Sequence, residues 1–155
     1  SSETTRKVAM NIARNSGGFA ASGRVTLIQE TAKPATLLRE KESNTQAGFL
    51  LYLPVYKTRN TPSTLEERIA QIDGFVYSPF RAGDFVKDVI KEGEIDEVAF
   101  KIYDSELSEK NLLAFGNEAE ALNDSVLKRQ NEVEFGSRKW VITYAPTAKF
   151  QEQSL

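Results

Sequence analysis

Apolar positions along this chain switch between a helical and a two-residue rhythm. Val8, Ile12 and Ala13 recur near helical spacing. Thr4 and Thr5 stand where an N-cap would, and Gly17-Gly18 ends the pattern as glycine does just past a helix. Arg24 to Glu30 (RVTLIQE) carries β-branched residues in partial alternation and predicts a strand. From Thr31 to Gln46 the chain is polar, with Pro34 and the mixed cluster Arg39-Glu40-Lys41-Glu42, which fits a loop or a short helix. Gly48 to Lys57 (GFLLYLPVYK) is apolar on both faces and predicts a central strand with layers above and below it. Pro54 removes a ladder donor, so a strand end or bulge is expected there.

Thr61-Pro62-Ser63-Thr64 followed by Leu65-Glu66-Glu67-Arg68 predicts a helical turn capped by Ser63 or Thr64. Ile72 to Phe80 is a second apolar strand. Gly83 to Ile90 returns to helical period, with Asp84 in the first turn and Phe85, Val89 and Ile90 on one face. Val98, Phe100 and Ile102 then oppose Ala99, Lys101 and Tyr103, the alternation of a half-buried strand. Asn111 to Phe115 is another short strand. Val133 to Phe135 and Trp140 to Tyr144 flank Gly136-Ser137-Arg138-Lys139, a hairpin with a longer loop. The tail after Pro146 is polar and is expected to fray over 147–155. The order of elements predicts an α+β fold, a PAS-like antiparallel sheet with flanking helices.

Composition narrows the chemistry. At 155 residues and 40% hydrophobic, one domain over 1–155 with its own core is expected. The chain has neither histidine nor cysteine, which removes the commonest general base, thiolate metal sites and disulfides. Twenty basic and 22 acidic residues leave a net charge of −2, too little positive field to collect phosphates, so no nucleic-acid partner is expected. No apolar run reaches the ~20 residues of a transmembrane helix. The start at Ser1-Ser2-Glu3 reads as a piece excised from a longer protein. Glu66 and Glu67 suit the first turn of a helix better than acid–base catalysis, because adjacent helical residues diverge. Asp104 with Glu106, and Asp96 with Glu97, are expected to be solvated in turns. Calcium-loop, P-loop and GxGxxG spacings do not occur, and no cofactor is expected.

One longer stretch is specific. Ala47 to Val89 holds, in order, GFLLYLPVYK, TPSTLEERIAQIDGFVY and SPFRAGDF, and upstream lies Ser22-Gly23-Arg24-Val25-Thr26-Leu27-Ile28-Gln29. Together these resemble the CHASE domain, the extracytoplasmic sensor of transmembrane histidine kinases and diguanylate cyclases, to which the plant cytokinin receptors are related. Ile102-Tyr103-Asp104 and Trp140-Val141-Ile142 are similar to its closing strands. The resemblance implies a periplasmic or extracytoplasmic sensing domain without catalytic activity. It also implies a small-molecule ligand in the membrane-distal part, a homodimeric receptor, and a membrane link only through flanking helices.

Carried over by the resemblance, ligand-contacting positions fall at Arg6, Ser22, Ile28, Tyr52, Phe75 and Ser78. The strand period adds Tyr77, which shares a face with Phe75 as Leu50 does with Tyr52. Arg6 stands where the plant receptors carry an aspartate that pairs with adenine. A cation offers no acceptor to an amino group, so an anionic ligand such as a carboxylate is expected instead. Arg24 and Arg81 are further cation candidates, the latter at a helix entrance beside Asp84 and Asp88. A core-packing role for the aromatics, and a ligand-free dimerisation or interaction module, are the competing expectations.

Overall fold

The computed structural model describes residues 2–28, 45–90, 97–116, 118–123 and 125–153. The loop or helix expected over 31–46 lies, but for its last two residues, outside them. Helix α1 (Ser2–Ser16) buries Ala9 and Ala13, four residues apart, and these small side chains let it lie close on the first sheet. It ends at Gly17, whose φ of +76° suits glycine and whose N–H donates to Ala13 O at 2.9 Å. Two further carbonyls of its last turn are satisfied from other elements. The Tyr56 hydroxyl donates to Arg14 O at 2.7 Å, and Arg68 Nε donates to Asn15 O at 2.8 Å.

The first sheet is built on β3 (Thr45–Tyr56). One edge of β3 pairs antiparallel with β1 (Ala20–Ala21) and β2 (Val25–Ile28), the other with β4 (Ile72–Arg81). The register passes from Ala21↔Leu51 to Val25↔Gly48, so β1 and β2 are one edge strand interrupted by a single extra residue. Ser22 bridges the break. Its N–H donates to Leu50 O at 2.8 Å, and its hydroxyl accepts the Leu50 N–H at 2.9 Å where a strand carbonyl would otherwise stand.

Even-numbered residues of β3 therefore direct their backbone groups toward β1 and β2, and odd-numbered ones toward β4. Pro54 belongs to the even set and lies beyond the end of β1, so its missing N–H costs no ladder bond. The expected irregularity falls one residue later, as a register shift between Val55 and Tyr56.

Helix α2 (Leu65–Gln71) starts with a capping box: Thr64 Oγ1 accepts the Glu67 N–H, and Glu67 Oε2 accepts the Thr64 N–H, both at 3.2 Å. Helix α3 (Ala82–Val89) follows β4 directly. Its inner line is Ala82 and Val86 with Phe85; Val89, expected on that face, is exposed.

The remaining strands form a second sheet rather than extending the first. Its order is β6 (Leu112–Phe115), β5 (Val98–Asp104), β8 (Arg138–Pro146), β7 (Arg129–Phe135), all antiparallel. Strand β5 is covered on both sides, not one. Phe100 and Ile102 enter the main core, while Ala99 packs with Leu122 and Ala145.

The two sheets meet in one aromatic cluster. Phe49 of β3 stacks on Phe80 at 5.5 Å and meets Phe85, Phe135 and Trp140 edge-on at 5.1–5.6 Å. The turn joining β7 to β8 is tight where a longer loop was expected: Phe135 pairs with Arg138, with Gly136 and Ser137 between them at φ of +54° and +61°. Within the tail, residues 147–153 are described. Helix α4 (Ala148–Gln153) begins after the buried Thr147, whose N–H donates to Glu97 O. The result is an α+β fold of antiparallel sheets with flanking helices.

Candidate functional site

The nine residues singled out in the sequence separate into distinct places. Tyr52 and Tyr77 are directly opposite in the β3–β4 ladder, and Phe75 is opposite Pro54, so all three side chains share the face that α1 covers. Their rings touch: Tyr52 and Tyr77 lie 5.7 Å apart and tilted by 32°, and Phe75 meets Tyr52 edge-on at 6.4 Å. Tyr52 is 5% exposed and Tyr77 62%, so the pair runs from the core to solvent.

Arg6 is exposed on α1, three residues before the buried Ala9. Burial pushes the Tyr52 phenol above its ordinary value. The Arg6 charge opposes this shift and Tyr77 adds to it. Three of the nine residues thus form one aromatic platform, and Arg6 is exposed on the helix packed over the same face.

Ile28 and Arg81 converge elsewhere. They line a groove of about 480 Å³ whose apolar wall includes Leu27, Pro79, Phe80 and Phe85. Its polar rim is Arg81, Asp84 and Asp88, and Arg81 Nη1 sits 3.6 Å from Asp84 Oδ2. Ser78 pairs with Leu51 and so points to the sheet face opposite Tyr77. The Ser22 hydroxyl is occupied by Leu50 N–H and Gly23 O. Arg24 is a tie between the sheets: its Nε donates to Leu112 O at 2.7 Å and its backbone N–H to Asp104 Oδ2 at 2.8 Å.

Asp104, expected to be solvated, is buried at 6% exposure. Its other oxygen accepts from Arg138 Nε at 2.7 Å. Beside it, a Cβ on Gly23 would meet Thr5 Oγ1 of α1 at 2.5 Å and Asp104 Oδ2 at 3.1 Å, so glycine is required for this approach. No local signal marks Asp104, because its partners lie 80 residues upstream and 34 downstream.

Among the described residues no cluster of three metal-ligating side chains occurs, and no helix is long and apolar enough to cross a membrane. The platform combines aromatic faces with two phenol hydroxyls, groups that suit contact with a small molecule. In comparison with known families, the model of the CHASE domain matches residues 1–114. This chain belongs to the CHASE family, the extracytoplasmic, non-catalytic sensor domains of signalling receptors. The match ends in β6, so β7, β8 and α4 extend beyond it. A search of curated proteins finds no match.

Proposed function

We propose that this chain is the small-molecule sensing part of a transmembrane receptor, with a histidine kinase or diguanylate cyclase as output. Its ligand, an organic anion, rests on the platform of Arg6, Tyr52, Phe75 and Tyr77. The observation that carries the reading is the direct pairing of Tyr52 with Tyr77 under the field of Arg6. Aromatic faces hold a planar apolar body, two phenol hydroxyls supply hydrogen bonds, and a guanidinium pairs with a carboxylate in a fork geometry.

Sensing requires the ligand to favour one arrangement of α1 on the sheet over another. Arg6 and Tyr52 sit on these two elements, so a ligand bridging them has that leverage. The test is thermal unfolding of the chain with a panel of mono- and dicarboxylates and aromatic acids. A cognate compound at 100 times its Kd adds about 2.7 kcal/mol and raises Tm by several degrees. Arg6→Gln and Tyr77→Ala both remove the shift, and Arg6→Gln leaves the unliganded Tm nearly unchanged, since that side chain is exposed. A panel without a hit, or a hit indifferent to Arg6→Gln, refutes the proposal.

A further inference from the structure

Strand β4 has the composition of an interior strand and the position of an edge. Its residues Gly74, Val76, Ser78 and Phe80 pair with the odd-numbered residues of β3 and direct their backbone groups inward. Phe75, Tyr77 and Pro79 direct theirs outward, and among the described residues no strand pairs with that side. Pro79 lacks only an outward N–H, so it costs the sheet nothing; Phe75 and Tyr77 present complete backbone donor–acceptor sets. Exposed apolar or aromatic side chains flank this edge on both faces of the sheet. Val76 is 62% exposed with Leu53 at 51% on one face, and Tyr77 is 62% exposed on the other.

The outer strand of the second sheet is different. Arg129, Glu132 and Glu134 line β7, the charged edge that resists pairing, whereas β4 carries no charge from Gly74 to Phe80.

We infer that β4 pairs antiparallel with β4 of a second copy of this chain, joining two first sheets across a two-fold axis at Val76. The sequence is self-complementary in that register. Phe75 falls opposite Tyr77 of the other copy and Tyr77 opposite its Phe75, so the outward backbone groups meet in two hydrogen-bonded pairs. The same pairing gives two aromatic cross-strand contacts. Val76 faces its own counterpart between Gly74 and Ser78, which are small enough to let the two valines touch; a Cβ on Gly74 would have open space around it. Asp73 meets Pro79, so no like charges oppose one another. The interface is isologous and closes as a dimer. It needs no ligand; it shares Phe75 and Tyr77 with the proposed platform, and Val76, on the opposite face of the strand, tests the pairing apart from that platform.

The test is sedimentation of the 155-residue chain over a micromolar to millimolar range, where a species of twice 17.3 kDa is expected. Val76→Lys and Val76→Glu each place like charges face to face, and either weakens the dimer by at least ~10-fold. Mixing the two variants restores it as a heterodimer, which also shows that both are folded. Val126→Lys, at a site 93% exposed and far from β4 in sequence, leaves the dimer intact. A wild-type chain that remains a monomer at millimolar concentration overturns the inference, as does a dimer that tolerates Val76→Lys or variants that do not recombine.

Discussion

At the scale of single residues, two buried phenols carry a measurable signature. Tyr52 and Tyr103 both lie above the ordinary tyrosine value, first because burial disfavours the phenolate. Tyr77 adds to the effect at Tyr52 while Arg6 opposes it, and Glu109 adds to it at Tyr103. The folded chain therefore keeps protons that the unfolded chain releases near pH 10. Stability from these groups is complete below that pH and falls as the pH rises through the folded-state values. A urea midpoint that is flat near neutrality and falls above about pH 10 is expected. In the double variant Tyr52→Phe/Tyr103→Phe the alkaline decline becomes shallower; an unchanged slope would contradict the assignment. Arg6→Gln acts in the opposite sense, moving the onset of tyrosinate absorbance to higher pH by removing the one cation that favours the Tyr52 phenolate.

At the scale of elements, the β7–β8 hairpin shows what local pattern can and cannot reveal. Two consecutive positive φ angles define a type I′ turn, which suits the right-handed twist of its strands. Gly136 meets a second demand, because a Cβ there would lie 2.6 Å from the Ala21 amide nitrogen of the other sheet. Gly136→Ala is expected to cost about 2 kcal/mol or more, from the clash as well as the backbone. Ser137→Gly relieves a left-handed residue and gains up to about 1 kcal/mol. Chemical denaturation of the two variants checks the contrast, and equal effects would refute the turn assignment.

The sequence places this hairpin but includes Arg138 and Lys139 in its loop. Both are strand residues, and Arg138 turns its charge inward to Asp104. Strands β3 and β4 were legible because continuous apolar runs are rare, and α2 because its cap is written in adjacent residues. The platform of Tyr52, Phe75 and Tyr77 was legible for a related reason: the two-residue period fixes faces, and the pairing register then joins them. Periodicity carries no information about which strands pair, so the division into two sheets was not readable. Nor was the burial of Asp104, or the use of Ser22 and Arg24 as backbone partners.

At the scale of the whole molecule, the question is whether two sheets make one cooperative unit. Phe49 and Trp140 come from different sheets and share one core, with Phe85 of α3 between their neighbours. Asp104 adds a polar tie, holding Arg138 of its own sheet and the Arg24 amide of the other in a buried place. An uncompensated buried charge is costly, so deleting Asp104 strands Arg138 as well as removing the tie. Asp104→Ala is expected to lose about 3 kcal/mol, and Asp104→Asn, which keeps an acceptor for the Arg24 amide, about half as much. In the wild type, Trp140 fluorescence and far-ultraviolet circular dichroism should then trace the same urea transition, because neither sheet can lose its half of the aromatic cluster alone. Hydrogen exchange sharpens the test. If the sheets are one unit, the amides of Leu50–Tyr52 and of Phe100–Tyr103 lose protection by the same free energy in Asp104→Ala. If only the second group responds, the sheets unfold separately and the shared core does not bind them into one domain. A ligand held between α1 and the first sheet would in that case have no mechanical route to the second.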